Sequence, residues 1–326
     1  MYSLDYYKKN IYRLLNDSIK KNIPDAVLLS GGVDSSSVAY LSVNHNPGLS
    51  SITVISENKF SSDKKYAMLA AKNLNINNHS EAILKDEETP ELIRNAVLSM
   101  GIFNIYWISA SVVLLKGLAF AKSRGFNKIA TGEGADDLFG SFPVMIDWIY
   151  GDKELKKFIR NRIKDIDIMT KKLSEYLNIN IITPFFDEKL IDFALKIPID
   201  LKIKRDCENN KVISKFILRE AFREYLPETI TNRPQTMAFT GASTLDLLTE
   251  KYKDFVDIEE YRKKYNINFK TSFECFLFDI LNKAGGYNPV AEGNRCLYCK
   301  SKLRSAESVH CPVCGTLQYN NKILDF

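Results

Sequence analysis

Two short segments constrain the fold of this chain more than anything else in its sequence. The apolar run Ala26-Val27-Leu28-Leu29 leads into Ser30-Gly31-Gly32-Val33-Asp34-Ser35-Ser36. The run Lys128-Ile129-Ala130-Thr131 leads into Gly132-Glu133-Gly134-Ala135-Asp136-Asp137-Leu138-Phe139-Gly140. Each run is long enough for a buried strand. Each ends in small residues that let the chain turn sharply and bring its backbone close to a ligand. Each turn then opens a helix. Two strand–turn–helix units of this kind point to an open parallel sheet, in which ligands gather at the carboxyl ends of the strands.

The first turn carries the chemistry of an anion site. Free N–H groups at a helix start, together with the helix dipole, favour a bound phosphate, and Ser30, Ser35 and Ser36 add hydroxyl donors. Asp34 would repel phosphate unless it holds a divalent cation that bridges to it. The plainer alternative is an N-capped helix after a glycine turn. On the second turn Glu133, Asp136 and Asp137 crowd three carboxylates together, and such acids repel one another unless a cation joins them. Its plainer alternative is a solvated acidic turn with an aspartate cap. No Gly-x-x-x-x-Gly-Lys-Ser/Thr string occurs, so the loop is not of the Walker type. Taken together, the two segments describe a site for a nucleotide polyphosphate and its metal.

These residues resemble the synthetase domain of the asparagine synthetase family, within the PP-loop ATP pyrophosphatase superfamily. Ser30-Gly31-Gly32-Val33-Asp34-Ser35 is similar to the superfamily's pyrophosphate loop, and Gly132 to Gly140 is specific to the asparagine synthetase branch. Pro184-Phe185-Phe186-Asp187 resembles the branch's Pro-Phe-Leu-Asp segment. Lys215-Phe216-Ile217-Leu218-Arg219 resembles its Lys-x-x-Leu-Arg helix, followed by Leu226-Pro227 and Asn232-Arg233. The likeness spans about residues 1 to 250. It implies a doubly wound parallel α/β sheet of the PP-loop, HUP-like kind, followed by a mostly helical region.

The resemblance also implies an activity. Such enzymes adenylate a carboxylate with ATP, release pyrophosphate, and pass ammonia or an amine to the acyl carbon. By similarity, Leu29, Ser30, Gly31, Gly32, Asp34, Ser35 and Ser36 would bind ATP and its pyrophosphate, with Val54, Ile55 and Gly132. Asp34 and Asp136 would hold magnesium. Glu133 would help remove a proton from the attacking nitrogen. Lys215 would neutralise charge at the reacting centre; on sequence pattern alone it could equally be a surface lysine at the edge of an amphipathic helix.

There are departures from the family. Its glutaminase domain, with a nucleophilic N-terminal cysteine, has no counterpart between Met1 and the ATP loop, and the first cysteine is Cys207. The expected nitrogen source is therefore free ammonia, an amine on a substrate, or ammonia from a separate glutaminase. The family's Glu-x-Arg before Pro-Phe-Leu-Asp reads Asn180-Ile181-Ile182 here, and Asn232-Arg233-Pro234-Gln235 lacks a lysine usual shortly after that arginine. The nucleotide half is retained better than the acceptor half, which leaves the acceptor carboxylate unidentified.

Cys296-Leu297-Tyr298-Cys299 and Cys311-Pro312-Val313-Cys314 are two Cys-x-x-Cys pairs with eleven residues between them. That spacing can place four thiolates tetrahedrally on zinc in a closed, structural site. Disulfides are the alternative. His310 reads as a bystander, Cys207 as a loop thiol and Cys275 as a core thiol. Lys300, Lys302, Arg304 and Lys322 give this zinc ribbon a basic face.

Organisation follows from these assignments. The pattern predicts strands near 26–29, 51–56, 80–83 and 128–131. Helices are predicted near 4–21, 36–44, 63–73, 88–100 and 105–124. Beyond about residue 143 it predicts helices near 152–176, 187–196, 211–225, 244–254 and 271–284. Residues 1–142 are thus expected to form the ATP-binding core, 143–285 a helical acceptor-site region, and 293–326 the zinc ribbon, with Gly285 to Pro289 as linker. Trp148 and Tyr150 read as core. The charged stretches Asp152 to Lys157 and Lys202 to Lys211 read as solvated surface or mobile loop, the second as a lid over Lys215. Charges nearly balance, 45 Lys+Arg against 40 Asp+Glu for a net +5, which does not argue for nucleic acid. No membrane-spanning run and no signal peptide are expected, and thiols kept for a metal are expected of a cytoplasmic protein. The leading expectation is an AMP-forming amide ligase using ATP, Mg2+ and Zn2+. A PP-loop tRNA-modifying enzyme gripping RNA with its ribbon is the alternative, and a non-catalytic scaffold is a third. Oligomeric state is left open.

Overall fold

The computed structural model describes residues 2–141, 152–165, 169–206 and 211–324. Helix α1 (Leu4–Lys21) starts where the Ser3 hydroxyl accepts the Tyr6 N–H, and it buries Tyr7, Ile11, Leu14, Leu15 and Ile19 along one stripe. The chain then winds through β1 (Ala26–Leu28), α2 (Val33–His45), β2 (Ser50–Ser56), α3 (Ser62–Asn73) and β3 (Asn78–Leu84). Helices α4 (Thr89–Met100) and α5 (Ile105–Ser123) lead to β4 (Lys128–Ala130) and the short α6 (Ala135–Phe139). After α7 (Asp152–Asp165) and α8 (Met169–Leu177), strand β5 (Asn180–Ile182) completes the sheet.

Among the described residues this sheet has the order β3-β2-β1-β4-β5, with every pair parallel. From β1 the chain builds outward through β2 and β3, then returns to place β4 on the other side. The winding direction therefore reverses between β1 and β4, and the crevice at their carboxyl ends is where such sheets receive ligands. Alternate residues face opposite layers, as a strand's two-residue period requires. Ala26 and Ile129 join a core with α4 and α5, while Val27 and Ala130 join one with α1 and α2.

The rest of the chain carries α9 (Glu188–Ala194), an antiparallel hairpin of β6 (Lys204–Asp206) and β7 (Lys211–Ile213), α10 (Phe216–Phe222), α11 (Thr244–Lys251), α12 (Ile258–Tyr265), α13 (Ser272–Lys283) and a small hairpin, β8 (Leu317–Tyr319) with β9 (Lys322–Leu324).

Several expectations are corrected. The region after 143 is mostly helical, as expected, but the strand Asn180–Ile182 was not: β5 pairs in register with β4 (Ala130 opposite Ile182). The helix expected over 211–225 begins only at Phe216, since Lys211–Ile213 pairs with Lys204–Asp206. Lys202 is 1% exposed rather than solvated. Helix α5, at 19 residues, is long and apolar enough to cross a membrane by length and composition, contrary to expectation. In this fold it packs Ile108, Val112, Leu115 and Leu118 into the core, with Gly117 close against Leu28 and Val54 of the sheet. Trp148, Tyr150 and Cys207 lie outside the described residues.

Candidate active site

The two glycine turns meet. Gly31 has φ +76°, and a Cβ on it would fall 2.2 Å from the backbone carbon of Tyr66 on α3. Only glycine fits both the backbone and the space. A Cβ on Gly132 would lie 2.8 Å from the Ser35 amide nitrogen, so the second turn rests directly on the start of α2. The first loop is laced by its own hydroxyls: Ser35 Oγ accepts from the Ser30 amide at 3.2 Å and lies 3.1 Å from Ser30 Oγ. Helix α2 is preceded by Gly32 at its N-cap, which offers its amides no side-chain cap. That leaves the N-terminal dipole free to face an anion.

Asp34 on the first turn of α2 and Asp136 on the first turn of α6 converge on one cation. The Lys215 ammonium, with the residue wholly buried, pairs with Asp34 Oδ2 and lies 2.7 Å from Asp136 Oδ1. Lys215 is not within the helix; it immediately precedes α10 with a left-handed backbone, φ 55° and ψ 31°. A non-glycine residue there costs on the order of 1–3 kcal/mol, and its ion pairs hold it. Burial alone would depress the Lys215 pKa, but the two carboxylates more than offset it and the net shift is upward. Burial pushes the Asp34 carboxyl up, against the pull of Lys215. For Asp136 burial also pushes upward, but Lys215 prevails and the carboxyl is held below its ordinary value.

Among the described residues, the buried oxygens Asp34 Oδ1, Ser36 Oγ and Thr131 Oγ1 around these turns have no hydrogen-bond partner. Orphaned buried polar atoms are costly and call for a partner. Hard carboxylate oxygens such as Asp34 Oδ1, beside a phosphate-suited helix start, fit magnesium.

The other wall of the cleft is cationic. Arg233, 5% exposed, donates from Nη1 to the Ser30 carbonyl at 2.7 Å and from Nη2 to Asp63 Oδ1 at 2.6 Å, and its guanidinium lies over the Tyr66 ring. Arg219 donates to the carbonyls of Ser214 (2.8 Å), Thr231 (2.6 Å) and Arg233 (2.9 Å), fixing the strand of chain that carries Arg233. Gln235 Nε2 donates to Asp136 Oδ1 at 3.1 Å. Ser30, Gly32, Asp34, Arg219, Arg233 and Gln235 all line one cleft. Sequence reading found Asn232 to Gln235 only as a motif with a lysine missing; it gave no role to Arg233 or Gln235, and Asp63 carried no local signal at all.

Glu133, on the second turn, is held by the start of α8. Its Oε1 accepts the Met169 amide at 2.9 Å, and its Oε2 accepts the Thr170 amide at 3.1 Å and the Thr170 hydroxyl. It thus caps the start of α8. Burial outweighs these donors and lifts its pKa to about 7. Val54 and Ile55 are buried in β2, which continues past its last pairing with β1 at Leu28–Ile52. The adjacent Ser56 hydroxyl is bound to the Ala242 carbonyl at 2.7 Å.

The four cysteines form a second centre. Their sulphurs lie within 4.8 Å of one another, all buried. Cys296 Sγ is 3.6 Å from Cys314 Sγ, and Cys299 Sγ is 3.7 Å from Cys311 Sγ. All four are free thiols, not disulfides. Zn–S bonds of about 2.3 Å in a tetrahedron would set the sulphurs about 3.8 Å apart, so the cluster fits zinc. His310 is not among its ligands; its ring lies 5.1 Å from that of Trp107. Cys275 is a buried core thiol.

The family profile described as asparagine synthase matches residues 10–157 and 163–259, well over half the chain and short of the cysteine pairs. The chain is 27% identical over 299 residues to asparagine synthetase B, named glutamine-hydrolysing, of Escherichia coli, covering 83% of this chain and 52% of that protein. It is 28% identical over 252 residues to asparagine synthetase 1, likewise named, of Arabidopsis thaliana, covering 71% and 41%. The chain thus spans about half the length of the curated relatives it matches. Among solved structures, an NMN synthetase from Francisella tularensis covers 90% of this chain and all of its own at 14% identity and a TM-score of 0.40.

Proposed function

The chain belongs to the asparagine synthase family, and we propose that it is an ATP-dependent, AMP- and pyrophosphate-forming amide ligase. The observation that carries this reading is the buried bridge from Lys215 to Asp34 and Asp136. It gathers on one point the two turns of the nucleotide crevice and a fixed cation, which is what charge transfer at a phosphate–acyl centre needs.

In this reading the amides and hydroxyls from Leu29 to Ser36 cradle the phosphates, with Arg233 behind the loop. Gly132 keeps the second turn against it, and Val54 and Ile55 border the adenine. Asp34 and Asp136 are the residues that would hold magnesium, which supplies neutralisation of the polyphosphate when bound. A carboxylate oxygen of the acceptor attacks the α-phosphorus, and the bond to pyrophosphate breaks. Ammonia or an amine then attacks the acyl carbon, and the bond to the AMP oxygen breaks. Lys215 stabilises the negative charge that develops on the acyl oxygen. Glu133, with a pKa lifted to about 7, takes the proton that the nitrogen must shed.

The cysteine cluster is proposed to hold a structural zinc, and its retained thiols suit a reducing compartment such as the cytoplasm. The acceptor is a small or macromolecular carboxylate, and a separate glutaminase is one supplier of the ammonia. The test is pyrophosphate release from Mg-ATP with ammonium across aspartate, other amino and organic acids, and bulk tRNA. Release that depends on a carboxylate, with AMP and an amide as products, bears the reading out. Release only with tRNA would replace it with RNA modification.

A further inference from the structure

The cysteine cluster does not stand apart from the proposed nucleotide crevice. Two lines of contact run from one to the other. In the first, Val309 and Leu317 beside the cysteines, with Leu324, form an apolar cluster with Phe158 and Ile159 of α7. Tyr319 meets the Phe158 ring edge-on at 6.0 Å, and Asn161 Nδ2 of the same helix donates to the Glu307 carbonyl at 3.3 Å. One residue on, Arg162 Nε donates to Asp137 Oδ1 at 2.6 Å, both residues being buried. Its guanidinium lies 5.5 Å from the centre of the Trp107 ring, which His310 flanks on the cysteine side. Asp137 is the neighbour in sequence of Asp136. In the second line, the same apolar cluster includes Ile203, which opens the β6–β7 hairpin and packs so closely on Gly140 that a Cβ there would lie 2.8 Å from it. That hairpin ends at Ile213, two residues before Lys215.

We propose that the four-cysteine site takes a thiophilic, tetrahedral divalent ion, zinc, and that this ion acts as a remote positioning element for Asp136 and Lys215. Rigid packing transmits small displacements, because interiors are close-packed. A tetrathiolate clamp fixes the loops that carry Val309, His310 and Leu317. Val309 and Leu317 set α7 through Phe158, as does the Glu307 carbonyl through Asn161, and so Arg162 against Asp137. They also set the base of the hairpin through Ile203. This chain of residues reaches the first turn, Leu29 to Ser36, last, at its far end, where Lys215 pairs with Asp34. The ion therefore governs the chemical step more than the grip on the nucleotide. This inference rests on the reading of Asp34, Asp136 and Lys215 as the adenylating centre.

The experiment uses the zinc-loaded full chain, stripped with EDTA and restored with zinc chloride, in the pyrophosphate-release assay. Removal is expected to lower kcat about 10- to 100-fold, the scale of a displacement of about 1 Å at a reacting centre. KM for ATP should stay within about threefold, and zinc should restore kcat. Hydrogen exchange should speed up in α7 and at Lys204–Asp206 and Lys211–Ile213, with β2 unchanged. The variant Val309→Ala leaves the four ligands intact. It should keep its zinc, by elemental analysis, yet lose part of kcat with the same KM for ATP. Full kcat without zinc, or wild-type kcat in zinc-loaded Val309→Ala, would overturn the inference. So would exchange that accelerates equally in β2, since the ion would then only hold the whole fold. Asp34→Asn, run in parallel, separates the two failures: if it retains turnover, the adenylating reading itself falls.

Discussion

The Lys215 ammonium lies 2.7 Å from Asp136 Oδ1, across 79 positions of sequence, and pairs with Asp34 from the other turn. This cation ties the segment before α10 to two turns that already rest on one another. Lys215→Ala should lower the rate of pyrophosphate release about 10²- to 10³-fold, the scale of losing one pre-organised charge partner. It also takes the cation from two half-buried carboxylates, so stability should fall by roughly 1–3 kcal/mol in urea unfolding. Circular dichroism before the transition should match wild type. Undiminished turnover would remove Lys215 from the centre.

Glu133 gives a prediction about pH. Its pKa is lifted from 4.5 to about 7 by burial, and it can accept a proton only as the carboxylate. The amide-forming rate should rise with pH and reach half its plateau near pH 7. Stability should move the other way. The folded form binds this proton more tightly than the unfolded, so the stabilisation is full below about 4.5 and is lost as pH rises through about 7. Glu133→Gln should remove both the rate limb and that part of the stability slope, measured as thermal midpoints from pH 5 to 8.

Gly31 tests the loop. Alanine there meets a forbidden approach to Tyr66 and a left-handed backbone at once, and each effect costs on the order of 1 kcal/mol or more. Gly31→Ala should abolish detectable Mg-ATP binding by calorimetry. Gly132→Ala, whose Cβ would press on the Ser35 amide, should raise the ATP KM about tenfold or more by parting the two turns.

Arg233 ties the loop to α3. Arg233→Lys keeps the charge but cannot reach Ser30 and Asp63 with a planar fork. It should behave nearly as Arg233→Ala does, with a stability loss of roughly 3–5 kcal/mol from the orphaned, buried Asp63. Rescue by lysine, read in urea unfolding, would contradict this role.

Much of the candidate site was legible in sequence because its demands are local. Gly31 needs its backbone angle, and the strand, turn and first helical residues sit within a dozen positions. Asp34, Asp136 and Lys215 were each singled out as candidates, and the fold brings them together. What failed to read was set by distant partners. Asn180–Ile182 is a three-residue strand defined only by β4 beside it. Lys211–Ile213 has helical spacing but is claimed by Lys204–Asp206. Arg233 looked like part of a damaged motif, because its value lies in reaching Ser30 and Asp63. The cysteine spacing announced a metal site, but gave no hint that its loops would merge with the core beside α5 and α7.

The cluster itself should carry one tetrahedral zinc, with four sulphur ligands at about 2.3 Å by X-ray absorption. Protein purified without added metal and found to hold none, or to hold disulfides, would contradict it.

The most direct test of the central claim follows oxygen. The chain is given Mg-ATP, ammonium and the panel of acids with 18O in their carboxylates, and the nucleotide product is weighed by mass spectrometry. An acyl-adenylate predicts AMP carrying an 18O atom from the carboxylate, with unlabelled pyrophosphate and an amide. ADP with labelled inorganic phosphate, or AMP without label, would contradict adenylation.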